Sequence, residues 1–288
     1  MKKILFPIFC ILIALGANAQ KDTLIAVNQD TIKIGSFMII KSQAPSEQKD
    51  WQSMIEKGNF KNTQIKVERI KGIKKIRTTK WWAMDLGFAN YYDATNYKYD
   101  PSFVKPATGP ALSTKSFRLN NARSSNFNLW IVQQKMNLNH SSFNLKYGVG
   151  FQMYNFRFEQ PISYRNDGAS FVYLDNKTFK KDKLFVNYLT IPIQLNYQPK
   201  SENKRGLNAS AGLSFGYLLS SHNKQIGGTK EKYNGNFNLN DFQVAGIGEV
   251  GIGSIKLYAS ASVTNLYDSK LSKQFNYPFS IGLRFSNF

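Results

Sequence analysis

The sequence carries a single cysteine, Cys10, and only two histidines, His140 and His222. Cys10 lies in the N-terminal leader, so disulfides and cysteine-based metal sites are excluded for the chain that follows it. A histidine metal site needs clustered ligands. His140 falls in a short predicted turn and His222 near a long predicted loop, at opposite ends of the fold read below. Beyond the first twenty residues no apolar run reaches the ~20 residues that a membrane-spanning helix needs. Acidic groups are scarce as well: 18 Asp and Glu face 38 Lys and Arg, a formal net charge of +20.

The leader itself is legible. Lys2 and Lys3 form a positive start, Ile4 to Leu15 an apolar stretch, and Ala17-Asn18-Ala19 an A-x-A cleavage site before Gln20. Residues 1–19 therefore read as a signal peptide, and no lipobox surrounds Cys10. Export makes nucleic acid a poor partner for a basic chain. Outer-membrane lipid and the phosphates of lipopolysaccharide are the expected counter-charge. An exported chain without a spanning helix is either soluble or a β-barrel.

What the sequence has in abundance is aromatic residues, 22 Phe, 15 Tyr and 4 Trp, and alternation. From Phe143 to Met153 every second residue is large and apolar (Phe143, Leu145, Tyr147, Val149, Phe151, Met153), while Asn144, Lys146, Gly148, Gly150 and Gln152 lie between them. Side chains of a strand alternate faces, and about 9–11 residues cross a bilayer as a tilted strand. The pattern recurs, giving eight strands at about 81–91, 123–136, 142–154, 185–198, 206–219, 240–251, 254–266 and 277–286. The phase of the second is ambiguous, and Pro192 predicts a bulge in the fourth. Short connections alternate with long ones, as in a barrel with periplasmic turns and extracellular loops. The expected fold is all-β: an eight-stranded antiparallel transmembrane barrel over 81–288, in the outer membrane, with a small periplasmic extension over 20–80.

In that extension Leu24–Val27 and Thr31–Ile40 read as a hairpin around Asn28-Gln29-Asp30. Ser46 reads as the N-cap of a short helix with Trp51, Met54 and Ile55 on one face and Gly58 after its end. A basic run follows: Lys66, Arg69, Lys71, Lys74, Lys75, Arg77 and Lys80 against one acid, Glu68. It is either a juxtamembrane patch for anionic headgroups or a periplasmic partner, or a solvated linker. The loop residues Arg165, Lys177, Lys180, Lys181, Lys183, Lys224, Lys230 and Lys232 pose the same choice toward lipopolysaccharide phosphates.

Several stretches resemble the PorT-like outer-membrane β-barrel proteins of Bacteroidetes. NYLTIPIQLNYQ (Asn187 to Gln198) is similar to that family's YLxIPLLLxY segment. DTIKIGSFMII, WWAMDLGFANYY, SFNLKYGVGFQMYNFRF, AGLSFGYLLSSHNK, FNLNDFQVAGIGEVGIG and YPFSIGLRF follow in the family's order. The resemblance covers nearly the whole chain after the leader. It implies a small outer-membrane barrel, some relatives of which take part in protein secretion, and it brings no catalytic residues.

Alternation turns Asp85, Lys146, Glu249, Lys256 and Arg284 inward near the turn ends of their strands, a lumen charge network with Gln194 and Asn208 alongside. A two-residue turn at Ile252-Gly253 would set Glu249 against Lys256. Closure of the first strand on the last would bring Asp85 near Arg284. A network of this kind points to a closed barrel, a scaffold or binding protein without a cofactor; that it is non-enzymatic and has an envelope or secretion protein as partner is what the resemblance implies. A narrow pore is the alternative. An outer-membrane lipid-modifying enzyme would have to use His222 with Ser220 or Ser221. Glycine pairs such as Gly148 and Gly150 open no helix and are not nucleotide loops; on a lumen face they make room for large neighbours.

Overall fold

The computed structural model describes residues 31–34, 37–41, 65–69, 77–98, 112–138, 142–167, 169–199 and 206–286, with side chains from Arg77 onward. The chain divides into two compact units, Met1–Lys75 and Ile76–Phe288. In the first, β1 (Thr31–Ile34), β2 (Phe37–Lys41) and β3 (Ile65–Arg69) form an antiparallel sheet in the order β1-β2-β3. Thr31 lies opposite Ile40, so the stretch expected as one hairpin arm itself folds back. The reversal falls between Ile34 and Phe37. Lys66 and Arg69, read as the start of a linker, lie in β3. Lys71, Lys74 and Lys75 are outside the described residues, as are the leader, Leu24–Val27 and the helix expected between Ser46 and Gly58.

The second unit is built from long strands: β4 (Arg77–Asp93), β5 (Ser125–Asn137), β6 (Phe143–Arg157), β9 (Lys181–Tyr197), β10 (Leu207–Ile226), β12 (Phe242–Ile252), β13 (Ile255–Ser262) and β14 (Asn276–Phe285). Between them lie a separate hairpin, β7 (Ile162–Asp167) with β8 (Ala169–Leu174), and a short strand, β11 (Lys230–Asn234), on the edge of β10. The eight long strands pair in order, all antiparallel, and β14 pairs back onto β4 to close the ring. Arg77 and Lys80, the end of the basic run, belong to β4.

Three connections at one end (138–142, 198–206 and 253–254) are short, and four at the other are long. We call these the turn end and the loop end. Along β13 each residue is alternately exposed and buried, Ile255 and Leu257 outward, Lys256 and Tyr258 inward. The outward apolar band runs from Trp82 to Tyr92 on β4. Ten steps of about 3.3 Å, tilted by about 45°, make roughly 23 Å, the height of a lipid-facing band.

The ladder slips twice. Between β5 and β6 the register shifts across Trp130 and Val132, so the buried side passes from Asn126, Asn128 and Trp130 to Gln133. That bulge is why the second strand had no single phase in the sequence. On β4, Trp82 takes a left-handed backbone (φ 59°), and Trp81 and Trp82 both face outward, 65% and 67% exposed. Two adjacent tryptophans thus meet the lipid at the turn end, where aromatic rings favour the interface. The second slip, between Leu218 and Ser220, lies on β10. Pro192 makes no bulge: it faces Ser214 in unbroken register.

The hydrophobic core sits at the loop end. Tyr154, Phe156, Leu184, Val186 and Tyr188 point inward from the strands and meet Phe117, Leu119, Phe158, Tyr164, Phe237 and Tyr267 from the loops, all buried. Tyr154 stacks on Phe156 with centroids 5.3 Å apart, and the hydroxyls of Tyr164 and Tyr267 share a hydrogen bond of 2.7 Å. Bridges between Leu119 and Phe158 and between Leu239 and Tyr267 tie the loops to one another. A buried aromatic cap therefore closes the barrel at this end.

Candidate functional site

Below the cap the lumen turns polar. Arg284 lies directly opposite Asp85 across the closing seam of the barrel. Its Nε and Nη2 donate to Oδ1 and Oδ2 of Asp85, each at 2.7 Å, the bidentate fork that a guanidinium makes best. Asp85 Oδ2 also accepts from Asn128 Nδ2 and from Trp130 Nε1, both at 2.9 Å. The third guanidinium nitrogen, Nη1, donates to Glu249 Oε2 at 2.5 Å. Glu249 Oε1 in turn accepts from Lys146 Nζ (2.5 Å) and Ser210 Oγ (2.8 Å). Two cations and two anions thus form one balanced chain, none more than 5% exposed. The guanidinium also lies near the faces of Trp130 and Tyr258, 5.1 and 5.7 Å from their centroids.

Neutral groups extend the chain to every strand of the ring. Asn137 donates to Asn144, Asn144 to Asn196, and Asn196 to both Asn208 and Ser210. On the other side Asn126 donates to Asn128 and accepts from the Tyr258 hydroxyl at 2.6 Å. Buried charges are tolerable only when paired and hydrogen-bonded, and here the carboxylate oxygens carry one to three donors each. Just above, the free space is a cavity of about 10 Å³ lined by Trp130, Gln152, Gln194, Tyr258 and Arg284 among others. That is room for about one water molecule.

The structure brings Asp85, Lys146, Glu249 and Arg284 together and sets Lys256 apart. The β12–β13 turn is Gly253-Ser254, with Gly253 at φ 64°, so Glu249 faces Tyr258 and Lys256 faces Gly251. Only glycine holds that backbone easily, and a shift of the turn by one residue moves the pairing by two without changing faces. Lys256 instead donates to Ser286, 2.8 Å to Oγ and 3.3 Å to the carbonyl. Gln194 faces Lys146 across the ladder, but its Oε1 accepts no hydrogen bond among the described residues. Asn208 joins through Asn196. Close packing leaves no room for a side chain at Gly87, where a Cβ would stand 2.5 Å from the Tyr258 hydroxyl and 2.4 Å from the Ile281 carbonyl.

His222 lies outside this layer, on the outer face of β10 beyond the apolar band. Its ring stacks on Phe185 at 4.6 Å. Ser221 is buried and donates to the Gly235 carbonyl, Ser220 is exposed, and among the described residues no hydrogen bond joins His222 to either serine or to a carboxylate. Burial and then Lys232, Lys183 and Lys224 push the imidazole down to about 4, too weak a base to activate a hydroxyl at neutral pH. His140 is outside the described residues.

A second polar knot, which the sequence reading missed because it joins three unconnected segments, fastens the β7–β8 hairpin above the band. Gln225 Nε2 donates to Ser163 Oγ (2.8 Å), the Ile162 carbonyl (3.2 Å) and Asp182 Oδ2 (3.3 Å), and Asn223 Nδ2 donates to Asp182 Oδ1 at 3.0 Å. Burial pushes the Asp182 carboxyl up to about 7, against the hydrogen bonds from Asn223 and Gln225. A raised carboxyl binds its proton more tightly when the hairpin is docked, so docking weakens as pH rises from about 4 toward 7 and the loss is complete above it. Amide exchange in β7 and β8, corrected for its intrinsic base catalysis, should therefore quicken as pH climbs through this range. Asp182→Asn should flatten the profile, and an unchanged profile in the variant would remove Asp182 as the cause.

Residues 90–285 match the sequence profile of a family described as outer membrane protein beta-barrel domain. No curated protein matches the chain.

Proposed function

The chain belongs to the outer membrane protein beta-barrel domain family, and from that premise we propose that it is a closed, non-enzymatic barrel serving the cell envelope as a scaffold or binding protein. One observation carries the reading: the lumen is obstructed twice, by the charge chain that every strand joins and by the aromatic cap above it. An eight-stranded ring leaves an interior that side chains can fill, and here they do. The weak basicity of His222, and its lack of a serine or acid partner among the described residues, favour the non-enzymatic reading. The PorT-like strand pattern supports a role beside protein secretion.

In this reading the short turns face the periplasm and the long loops the exterior, the usual arrangement of such barrels. With Cys10 removed with the leader, single cysteines are clean probes. On intact cells a membrane-impermeant maleimide should label Lys177→Cys at the loop end and spare Ser254→Cys at the turn end; the reverse pattern would overturn the orientation. Photo-crosslinkers at the same two positions in the native envelope should capture one protein in stoichiometric yield. Capture of lipid alone at both would overturn the scaffold role.

A further inference from the structure

Beyond the apolar band, the register lines up basic residues across four strands. Arg157 of β6 is opposite Lys183 of β9, Lys183 is opposite Lys224 of β10, and Lys224 is opposite Lys232 of β11. Two residues further up, Lys181 and Lys230 flank Ile226 from either side. Directly opposed residues share a face, and opposed like charges destabilise a sheet. This face is the outer one, since Asp182, Asn223 and Gln225 between them are buried inward. Among the described residues no acid answers the row. Glu231 alternates to the other face, near Arg165 (4.0 Å), Asp182 is in the interior, and Glu159 is engaged by Arg118 at 3.3 Å. The contacts of the row are neutral: Lys183 donates to Asn155 Oδ1, and Arg157 to the Lys180 carbonyl at 2.6 Å. Burial, then Lys181, Lys224 and Arg157, pull Lys183 down to about 8.

Between this row and the band lies a groove. The slip at Leu218 and Ser220 and the short reach of β11 open a space of about 470 Å³, walled by Phe185, Leu218, Leu219, His222 and Lys232, with Asp241 at its edge engaged by Asn236 Nδ2 at 3.1 Å. Its lower wall continues the exposed apolar side chains Leu213, Phe215 and Leu219 of the same strand. Its upper wall leads into the row, and Lys224 is five residues above Leu219, roughly 16 Å along the strand. Apolar below and cationic above, at the level where a membrane turns from acyl chain to headgroup, is the profile of an amphiphile with phosphate on its polar part.

We propose that the row Arg157–Lys183–Lys224–Lys232 and the groove beneath it bind the phosphate-bearing headgroup of an outer-leaflet glycolipid, whose acyl chains continue down the apolar band. The site needs the membrane placement of the barrel and is independent of whether the lumen conducts. A free anion would have no use for the apolar wall, and an acidic protein no reason to touch the band.

The test uses the full barrel in detergent, with lipopolysaccharide, the same lipid dephosphorylated, and inorganic pyrophosphate as probes. Lipopolysaccharide should raise the unfolding temperature, and the triple variant Lys183→Gln/Lys224→Gln/Lys232→Gln should bind it at least roughly tenfold more weakly. Without lipid that variant should unfold at a higher temperature than the parent, because the opposed charges are gone. This separates lost binding from lost folding. Lys177→Gln/Lys270→Gln/Lys273→Gln should bind as the parent does. Equal affinity in the two triple variants, or dephosphorylated lipid binding as tightly as the intact form, would overturn the proposal. Pyrophosphate competing at the concentration of the lipid would reassign the site to free anions, and a flat lipid titration beside capture of an acidic protein would reassign it to a protein.

Discussion

Arg284→Met should cost the barrel roughly 3–5 kcal/mol, the scale set by removing one partner of a buried ion pair. Arg284 touches both carboxylates: it forks onto Asp85 and spans to Glu249. Without it two anions remain in the lower lumen with Lys146 as the near cation, and Lys256 is engaged with Ser286. The companion variant decides whether the loss comes from stranded charge or from lost packing. Arg284→Met/Asp85→Asn removes one charge of each sign and leaves the Lys146–Glu249 pair whole. An asparagine at 85 can still accept from Trp130 or Asn128. The double variant should therefore be more stable than Arg284→Met alone, a coupling of a few kcal/mol, above the usual range for neighbours because the charge left behind is buried. Denaturant titrations of folding into lipid vesicles give both numbers. Additive losses would mean that the guanidinium acts as a space-filler against Trp130 and Tyr258 and that the charge chain contributes little.

Much of this barrel was legible because two simple periodicities govern it. Alternation alone places Trp82, Met84, Leu86 and Phe88 outward and Asp85 inward, as β4 is built. Closure of an even-numbered ring puts the first strand beside the last, and with it Asp85 opposite Arg284. What alternation cannot convey is register. A β12–β13 turn set one residue further along, at Gly253-Ser254, moved Glu249 from Lys256 to Tyr258, and the partners that Glu249 then takes, Lys146 and Arg284, come from strands remote in sequence. The bulges left a trace, an uncertain phase in the second strand, but not their positions. The cap left none. Phe117, Phe237 and Tyr267 stand in three loops outside any alternating run that would mark them. Their burial follows from loops packing on one another, a tertiary fact. The basic row escaped for a related reason: Lys183, Lys224 and Lys232 were legible as loop cations and Arg157 was not, and only the loop-end extensions of β6, β9 and β10, with β11, line them up.

In a planar bilayer the unmodified protein should carry no steady ionic current, and neither obstruction removed alone should open it. The cap and the charge chain close the lumen in series. Excision of the β7–β8 hairpin takes Ile162, Tyr164 and Val172 out of the cap. Its ends already meet, with Asp175 N donating to the Pro161 carbonyl at 2.8 Å, so a short Gly-Ser link can replace residues 162–174 without straining the barrel. The charge chain then still blocks the lower lumen. Arg284→Met loosens that chain but leaves the aromatic cap in place. Only the combined variant should conduct, because only there does water reach from end to end past Asp85 and Glu249. The measurement is a set of four current traces at fixed voltage and equal insertion, with protein-free bilayers as the baseline. Steady current through the unmodified protein would make the barrel a pore. If excision of the hairpin alone opened it as far as the combined variant does, the charge chain would be a wet path and the cap the sole closure.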